Sequence, residues 1–161
     1  MARLLIIFHS RTTGAQQMAE AAHAAAKEET EALIQRAEDT RPEDLLVADG
    51  FIFAAPENLA ALSGAMKEFF DRCYYPVLGK LEGRPYAQMI CAGSDGENAV
   101  RQLARIATGW RLKEVQPPLI VNTRAQTEAE ILAKKTITTA DLEKCAAIGA
   151  ALGAGLSMGV F

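Results

Sequence analysis

The start of the chain joins an apolar run, a polar turn and a helix-forming stretch. The run is Leu4-Leu5-Ile6-Ile7-Phe8, and the turn that follows it is His9-Ser10-Arg11-Thr12-Thr13-Gly14. A helical stretch then covers residues 15–29. A buried strand that leads through a hydroxyl-rich turn into a helix is typical of phosphate sites, because unpaired amides and the helix dipole favour an anion there. Ser and Thr hydroxyls can add hydrogen bonds, and Arg11 is a cation that can assist.

The same turn permits a simpler interpretation, in which a Ser or Thr only caps the helix. The turn contains one glycine, so it matches neither the dinucleotide fingerprint nor the Walker loop. From this turn alone, the phosphate site and the simple helix cap both stay open.

Strands and helices alternate along the whole sequence. Apolar runs predict five strands, at residues 4–8, 32–37, 51–55, 86–92 and 119–121. Longer helices are predicted at residues 15–29, 63–75, 97–108 and 139–152. Two short helices follow capping boxes, one at Thr40 and Glu43 and one at Thr127 and Glu130. This order predicts an α/β fold, a doubly wound five-stranded parallel sheet in three α/β/α layers, and a single domain over residues 1–161.

Charge and cysteine content restrict the classes of function. The net charge is −3, so there is no basic stripe of the kind that nucleic-acid binding needs. The three cysteines, Cys73, Cys91 and Cys145, show no CxxC or metal-ligand spacing, which predicts free thiols in a reducing compartment and no metal site. The first apolar run is too short for a signal peptide or a membrane span, which predicts a cytoplasmic protein that does not bind membranes.

Three predicted loops follow strands at the same edge of the sheet. They cover residues 10–16, 56–62 and 93–98. Ligands of doubly wound sheets bind beyond the carboxyl ends of the strands. Three converging loops, with a phosphate site in the first, favour a mononucleotide site.

Residues 56–72, PENLAALSGAMKEFFDR, resemble the second FMN loop and following helix of flavodoxin-like proteins. The resemblance is strongest to the flavodoxin-like quinone reductases and FMN reductases. The shared features are Pro56, the Ser63-Gly64 helix start and the helix Met66-Lys67-Glu68-Phe69-Phe70-Asp71-Arg72. Residues 4–14 resemble the phosphate loop of the same family. The resemblance implies a flavodoxin-like fold and FMN as the cofactor.

Three groups of FMN-binding residues follow from the resemblance. The phosphate loop would be Ser10, Arg11, Thr12, Thr13, Gly14, Ala15 and Gln16. The loop that covers the isoalloxazine ring would be Pro56, Glu57, Asn58, Leu59 and Ala60. The loop that flanks the ring edges would be Gly93, Ser94, Asp95 and Gly96. Backbone amides near the flavin N1–C2=O region would stabilise negative charge as the ring is reduced.

The chain departs from the family pattern in the first two loops. Either Thr13 or Gly14 takes the place of the family's glycine, and in each register the closing hydroxyl residue is replaced, by Ala15 or Gln16. The second loop has no aromatic residue, so Leu59 would cover the ring by apolar contact instead of stacking. Asp95 would either pair with the pyrimidine N3–H or start a turn. The sequence identifies no catalytic residue.

The implied activity is that of a flavoprotein oxidoreductase. The resemblance predicts NAD(P)H-dependent reduction of a quinone or similar small-molecule acceptor, with the flavin carrying the electrons. The expected partners are NAD(P)H and that acceptor, and the expected assembly is a homodimer. Two alternatives stay open: a flavodoxin-type carrier in one-electron transfer, and a flavin-free flavodoxin-like binding or assembly module. The net charge of −3 and the missing aromatic argue against the carrier.

Overall fold

The computed structural model describes residues 1–161 and contains seven strands and six helices. The strands are β1 (Arg3–Phe8), β2 (Glu31–Arg36), β3 (Gly50–Asn58), β4 (Ala61–Leu62), β5 (Pro85–Ala92), β6 (Lys113–Glu114) and β7 (Leu119–Asn122). The helices are α1 (Gly14–Ala26), α2 (Pro42–Leu46), α3 (Gly64–Val77), α4 (Glu97–Gly109), α5 (Glu128–Leu132) and α6 (Thr139–Met158). None of these helices is both long enough and apolar enough to cross a membrane.

The strands form a parallel sheet with one short hairpin. The order across the sheet is β2-β1-β3-β5-β6, and β7 also pairs with β5. Strand β3 pairs with one edge of β5. The short strands β6 and β7 both pair with the other edge of β5, β6 near its start and β7 near its end. The fifth strand position is therefore made of two pieces, of which the sequence predicted only the second.

Helices cover both faces of the sheet. Successive side chains of a strand point to opposite faces. Leu5 and Ile7 of β1 belong to the core that α3 and α4 cover, around Trp110, whereas Leu4 and Ile6 belong to the core that α1 and α6 cover. A strand buried on both faces requires a continuous apolar run, which is why residues 4–8 carry no polar side chain. The three-layer, doubly wound fold predicted from the sequence is confirmed.

Several predicted boundaries are wrong: α6 continues past residue 152 to Met158, and α1 ends at Ala26 instead of residue 29. Two further differences have identifiable reasons. Strand β3 runs past residue 55 to Asn58, because Glu57 and Asn58 pair with β4 in an antiparallel hairpin. Thr40 does not cap α2, since its hydroxyl donates to the Arg36 carbonyl oxygen at 2.8 Å. The cap is one residue later, where the Asp44 carboxylate accepts the Arg41 amide at 2.8 Å. The capping box of α5 is confirmed: Thr127 Oγ1 accepts the Glu130 amide at 3.2 Å, and Glu130 Oε2 accepts the Thr127 amide at 3.1 Å.

Candidate functional site

The carboxyl ends of β1, β3 and β5 lie side by side, so the loops that follow them meet at one edge of the sheet. Two cavities adjoin there and share Glu57, Asn58 and Gly93 among their lining residues. The smaller cavity, of about 70 Å³, lies against Thr12 and Pro56. The larger cavity, of about 450 Å³, lies between the β3–β4 hairpin and the loop after β5. Its volume falls in the range of small-molecule sites.

The turn after β1 presents a series of free hydrogen-bond donors. None of the backbone amides of residues 10–16 donates a hydrogen bond within the protein. The Ser10 hydroxyl oxygen is buried and also has no partner. A buried polar group without a partner is unfavourable, so this turn suits a ligand that brings several acceptor oxygens.

The backbone of the turn decides which residue occupies the position of the family's glycine. Thr13 has a φ of 70°, in the left-handed region that favours glycine, and Gly14 is the first residue of α1. This backbone favours the register in which Thr13 takes the place of the family's glycine. In this register Ala15 stands where the family has its closing hydroxyl residue.

The side chains of the turn differ in what they already contact. Thr13 Oγ1 donates to the Lys135 carbonyl oxygen at 3.3 Å, and Gln16 Nε2 donates to Glu20 Oε1 at 2.9 Å. Arg11 is exposed and lines the larger cavity. The groups of the turn that lack an acceptor thus include the backbone amides, the Ser10 and Thr12 hydroxyls and the Arg11 guanidinium, and Thr12 lines the smaller cavity.

The second predicted loop is a hairpin with a two-residue tip. Leu59 and Ala60 form the tip with φ values of 52° and 60°, and turns of this kind normally carry glycine or asparagine. A non-glycine residue in this region costs about 1–2 kcal/mol. The Leu59 side chain is fully exposed and lines the larger cavity. The strained tip thus presents an apolar side chain to the site.

The third loop contributes two of its four predicted residues to the cavities. Gly93 and Ser94 line the larger cavity, and neither backbone amide has an acceptor within the protein. Asp95 and Gly96 line neither cavity. The exposed Asp95 accepts the Glu97 amide at 3.4 Å, which is the turn alternative of the sequence analysis. The Gly96 amide donates to Glu57 Oε2 at 2.7 Å, and this bond ties the third loop to the hairpin.

Residues 123–138, here named the strap, form a wall of the site that the sequence analysis missed. The strap leaves β7, includes α5 and crosses the carboxyl edge of the sheet; Ala125 and Ile131 line both cavities. Gln126 Nε2 donates to the Gly93 carbonyl oxygen at 3.0 Å, and the Lys135 amide donates to the Thr12 carbonyl oxygen at 2.8 Å. The capping box at Thr127 was the sequence signal in this segment. It indicated a helix, but not where that helix packs.

A buried histidine, His9, directly precedes the turn of residues 10–16, which is called the phosphate turn below. His9 Nδ1 lies 2.8 Å from Ser63 Oγ, and His9 Nε2 lies 3.6 Å from Glu38 Oε1. Burial lowers the pKa of His9, while the charge of Glu38 acts in the opposite direction. Ser63 is completely buried, so this Ser-His-Glu arrangement has no access to a substrate. Its role is to join β1 to the start of α3.

The residues present fit FMN, the cofactor that the sequence resemblance implies. The free amides of residues 10–16 and the unpartnered Ser10 hydroxyl suit phosphate oxygens. The larger cavity, with apolar Leu59 and Ile131 on its walls, suits a planar ring. The free amides of Gly93 and Ser94 supply donors at that cavity. Leu59 replaces the ring-stacking aromatic, and no closing hydroxyl stands at Ala15.

Known proteins resemble this chain at the level of sequence and of fold. A flavodoxin of Aquifex aeolicus is 36% identical over 96 residues, which are 58% of this chain and half of that relative's length. An archaeal flavodoxin superposes with a TM-score of 0.77 at 15% identity and covers 96% of this chain and 98% of its own. A WrbA-like flavodoxin of Agrobacterium tumefaciens superposes with a TM-score of 0.76 at 18% identity and covers 99% of each chain. At these identities the two structures show the shared fold.

The model of the NADPH-dependent FMN reductase family matches residues 20–126. The match begins after the phosphate turn and ends inside the strap, and it includes the hairpin and the third loop. Because it spans well over half of the sequence, this chain belongs to the NADPH-dependent FMN reductase family of flavodoxin-like, FMN-binding oxidoreductases.

Proposed function

We propose that this chain works as a single domain that holds FMN in its three loops and catalyses the NAD(P)H-dependent reduction of a quinone or similar acceptor. The observation that carries the proposal is the pair of adjoining cavities at the carboxyl edge of the sheet. One end is a turn of free amides, and the other is an open cavity with apolar side chains at its mouth. Bound there, FMN would supply electron transfer from the nicotinamide to the acceptor.

In this proposal, the residues of the chain bind and orient FMN. The amides of residues 10–16 and the hydroxyls of Ser10 and Thr12 hold the phosphate. Leu59 and Ile131, which both line the larger cavity, exclude water from the ring. The free amides of Gly93 and Ser94 stabilise negative charge near the ring without a dedicated acid or base.

A cation at the larger cavity supports an anionic reductant. Arg11 lines this cavity and is exposed, while the carboxylate of Glu57, which also lines it, accepts the Gly96 amide. Cations at a mouth attract the phosphates of a nicotinamide dinucleotide and raise its association rate. This feature also separates the proposal from the second candidate, a one-electron carrier, which the similarity to the Aquifex flavodoxin favours.

An assay of NADPH oxidation, with and without a benzoquinone, separates these functions. The proposal expects FMN-loaded protein to oxidise NADPH in a reaction that depends on the quinone. A carrier would need an added reductase, and a flavin-free module would neither quench FMN fluorescence nor show a flavin spectrum. Either result would reject the proposed activity.

A matched pair of strap variants tests where the acceptor binds. Ile131 and Leu132 are neighbouring, exposed apolar residues, but Ile131 lines the larger cavity and Leu132 does not. We expect Ile131→Ser to raise the KM for the quinone about tenfold, since loss of one apolar contact surface costs about 1–2 kcal/mol. Leu132→Ser should leave that KM unchanged. Equal effects of the two variants would place the acceptor elsewhere.

A further inference from the structure

Lys135 places a cation directly beside the phosphate turn. Its ammonium nitrogen lies 3.4 Å from Thr12 Oγ1. Its backbone amide donates to the Thr12 carbonyl oxygen at 2.8 Å, and its carbonyl oxygen accepts from Gln17 Nε2 at 2.8 Å. Main-chain contacts on both sides therefore fix this residue against the turn, so that the position of the charge does not depend on the side-chain rotamer alone.

The ammonium group is held by carbonyl oxygens and has no anionic partner. It donates to the carbonyl oxygens of Glu130, Ile131 and Ala133 at 2.8, 2.9 and 2.6 Å, at the end of α5. No carboxylate forms an ion pair with it. The carboxylate of Glu130, one of two acids in the strap, accepts the amides of Gln126 and Thr127 instead.

A half-buried cation without a counterion, next to a turn of free amides, can hold an anion between them. The three carbonyl oxygens satisfy the donors of the ammonium but do not neutralise its charge, and charges withdrawn from water in proteins are normally paired with an opposite charge. Residue 135 is half-buried, and Thr12, its neighbour, belongs to the turn whose amides of residues 10–16 are free. An ammonium at this distance would also compensate for the hydroxyl that is absent at Ala15, since a charge-assisted contact is stronger than a neutral one.

We propose that Lys135 is a charged ligand of the FMN phosphate and makes the chain select FMN over riboflavin. The inference rests on the proposed placement of the FMN phosphate in the turn of residues 10–16. Two consequences follow from the charge. Lys135 contributes to the affinity for FMN but not for riboflavin, which has the same ring and no phosphate, and FMN binding weakens with salt more than riboflavin binding does.

Fluorescence titrations of the flavin-free full-length protein with FMN and with riboflavin test the proposal. Lys135→Gln removes the charge and keeps a donor for the α5 carbonyl oxygens, and Lys135→Arg keeps the charge. Lys134→Gln is the control, because Lys134 is the adjacent, exposed lysine and lines neither cavity of the site. We expect Lys135→Gln to weaken FMN about 10- to 100-fold, as for loss of a hydrogen bond to a charged group. Riboflavin affinity should change less than about twofold, and the Lys134 variant should bind FMN like the parent. The Arg variant, which keeps the charge in a different shape, should bind FMN more tightly than the Gln variant.

The outcomes separate this inference from the proposed function. A parent that prefers FMN, with a Lys135→Gln variant of unchanged preference, overturns the role of Lys135 and leaves the phosphate turn in place. Equal weakening of FMN and riboflavin also overturns it, because Lys135 then acts only through the strap. A parent with equal affinity for both flavins rejects the phosphate turn itself. If Lys135→Gln does not fold, the salt series on the parent decides, and equal salt dependence for both flavins rules the proposal out.

Discussion

At the residue scale, His9 is a group through which pH should act on the stability of the fold. Its ring lies at the end of β1, close to Ser63 and Glu38, and is almost completely buried. Burial lowers the pKa of His9 below its ordinary value of 6.5, and the nearby Arg11 and Arg36 act in the same direction. The unfolded chain therefore binds the proton more readily than the folded protein. Linkage then requires that stability rise with pH across the interval between the two pKa values.

We expect the contribution of neutral His9 to be fully present above its unfolded pKa of 6.5. It should be lost as the pH falls from there through the lower pKa of the folded protein. His9→Gln keeps a polar partner for Ser63 but does not titrate, so it should flatten this part of the pH dependence. Urea unfolding of both proteins between about pH 8 and pH 5 measures the effect. Parallel curves for parent and variant would show that His9 binds protons equally in the folded and unfolded states, which would contradict a lowered pKa of His9 in the folded protein.

At the scale of the elements, the packing of α1 against α6 depends on a glycine. A Cβ at Gly149 would overlap the carbonyl oxygen of Ala22, and the α1 face there consists of Ala19, Ala22 and Ala26. We expect Gly149→Ala to destabilise the protein by about 1–3 kcal/mol, because the two helices must move apart. Gly64→Ala is the matched control, since a Cβ at Gly64 meets no atom within 4 Å. Denaturant unfolding compares the two; because alanine has the higher helix propensity, a stability of Gly149→Ala equal to or above that of the parent would contradict the close-packing argument.

The main elements could be predicted because their signals are local. The five-residue apolar run in β1 and the alanine spacing in α1 each reflect burial of that element alone. Strand β6 could not be predicted, since Lys113 and Glu114 are exposed and only their backbone pairs with Pro85 and Tyr86. The hairpin was missed for a different reason, because its tip of Leu59 and Ala60 carries none of the usual turn residues.

In the candidate site, too, the parts with local sequence signals could be predicted and the parts without them could not. Its three loops were predictable because each follows a strand at the carboxyl edge of the sheet. The strap was not, because its contacts join residues far apart in sequence, such as Lys135 with Thr12. Its exposed Ile131 and Leu132 look like surface residues in the sequence, and only the cavity distinguishes them.

At the scale of the whole molecule, a bound ligand should add contacts between the loops that border the site. The turn after β1, the hairpin after β3, the loop after β5 and the strap all border the two cavities. Some of them are already linked, the hairpin to the third loop by Glu57 and the strap to the first turn by Lys135. A molecule that fills both cavities contacts all four segments at once, so it stabilises the folded state and not the unfolded chain.

Thermal unfolding with FMN, riboflavin and FAD at matched concentrations tests this expectation. FMN at about 100 times its Kd adds about 2.7 kcal/mol, which for a chain of this size raises the Tm by roughly 5–10 °C. Riboflavin should raise it less at the same concentration, because the free amides of residues 10–16 gain no phosphate. FAD should give no larger shift than FMN, since the site offers one amide-rich turn and the sequence carries no second nucleotide fingerprint. An equal Tm shift with riboflavin and FMN would contradict the placement of the phosphate in the turn of residues 10–16. A larger Tm shift with FAD would require a second nucleotide site on this molecule.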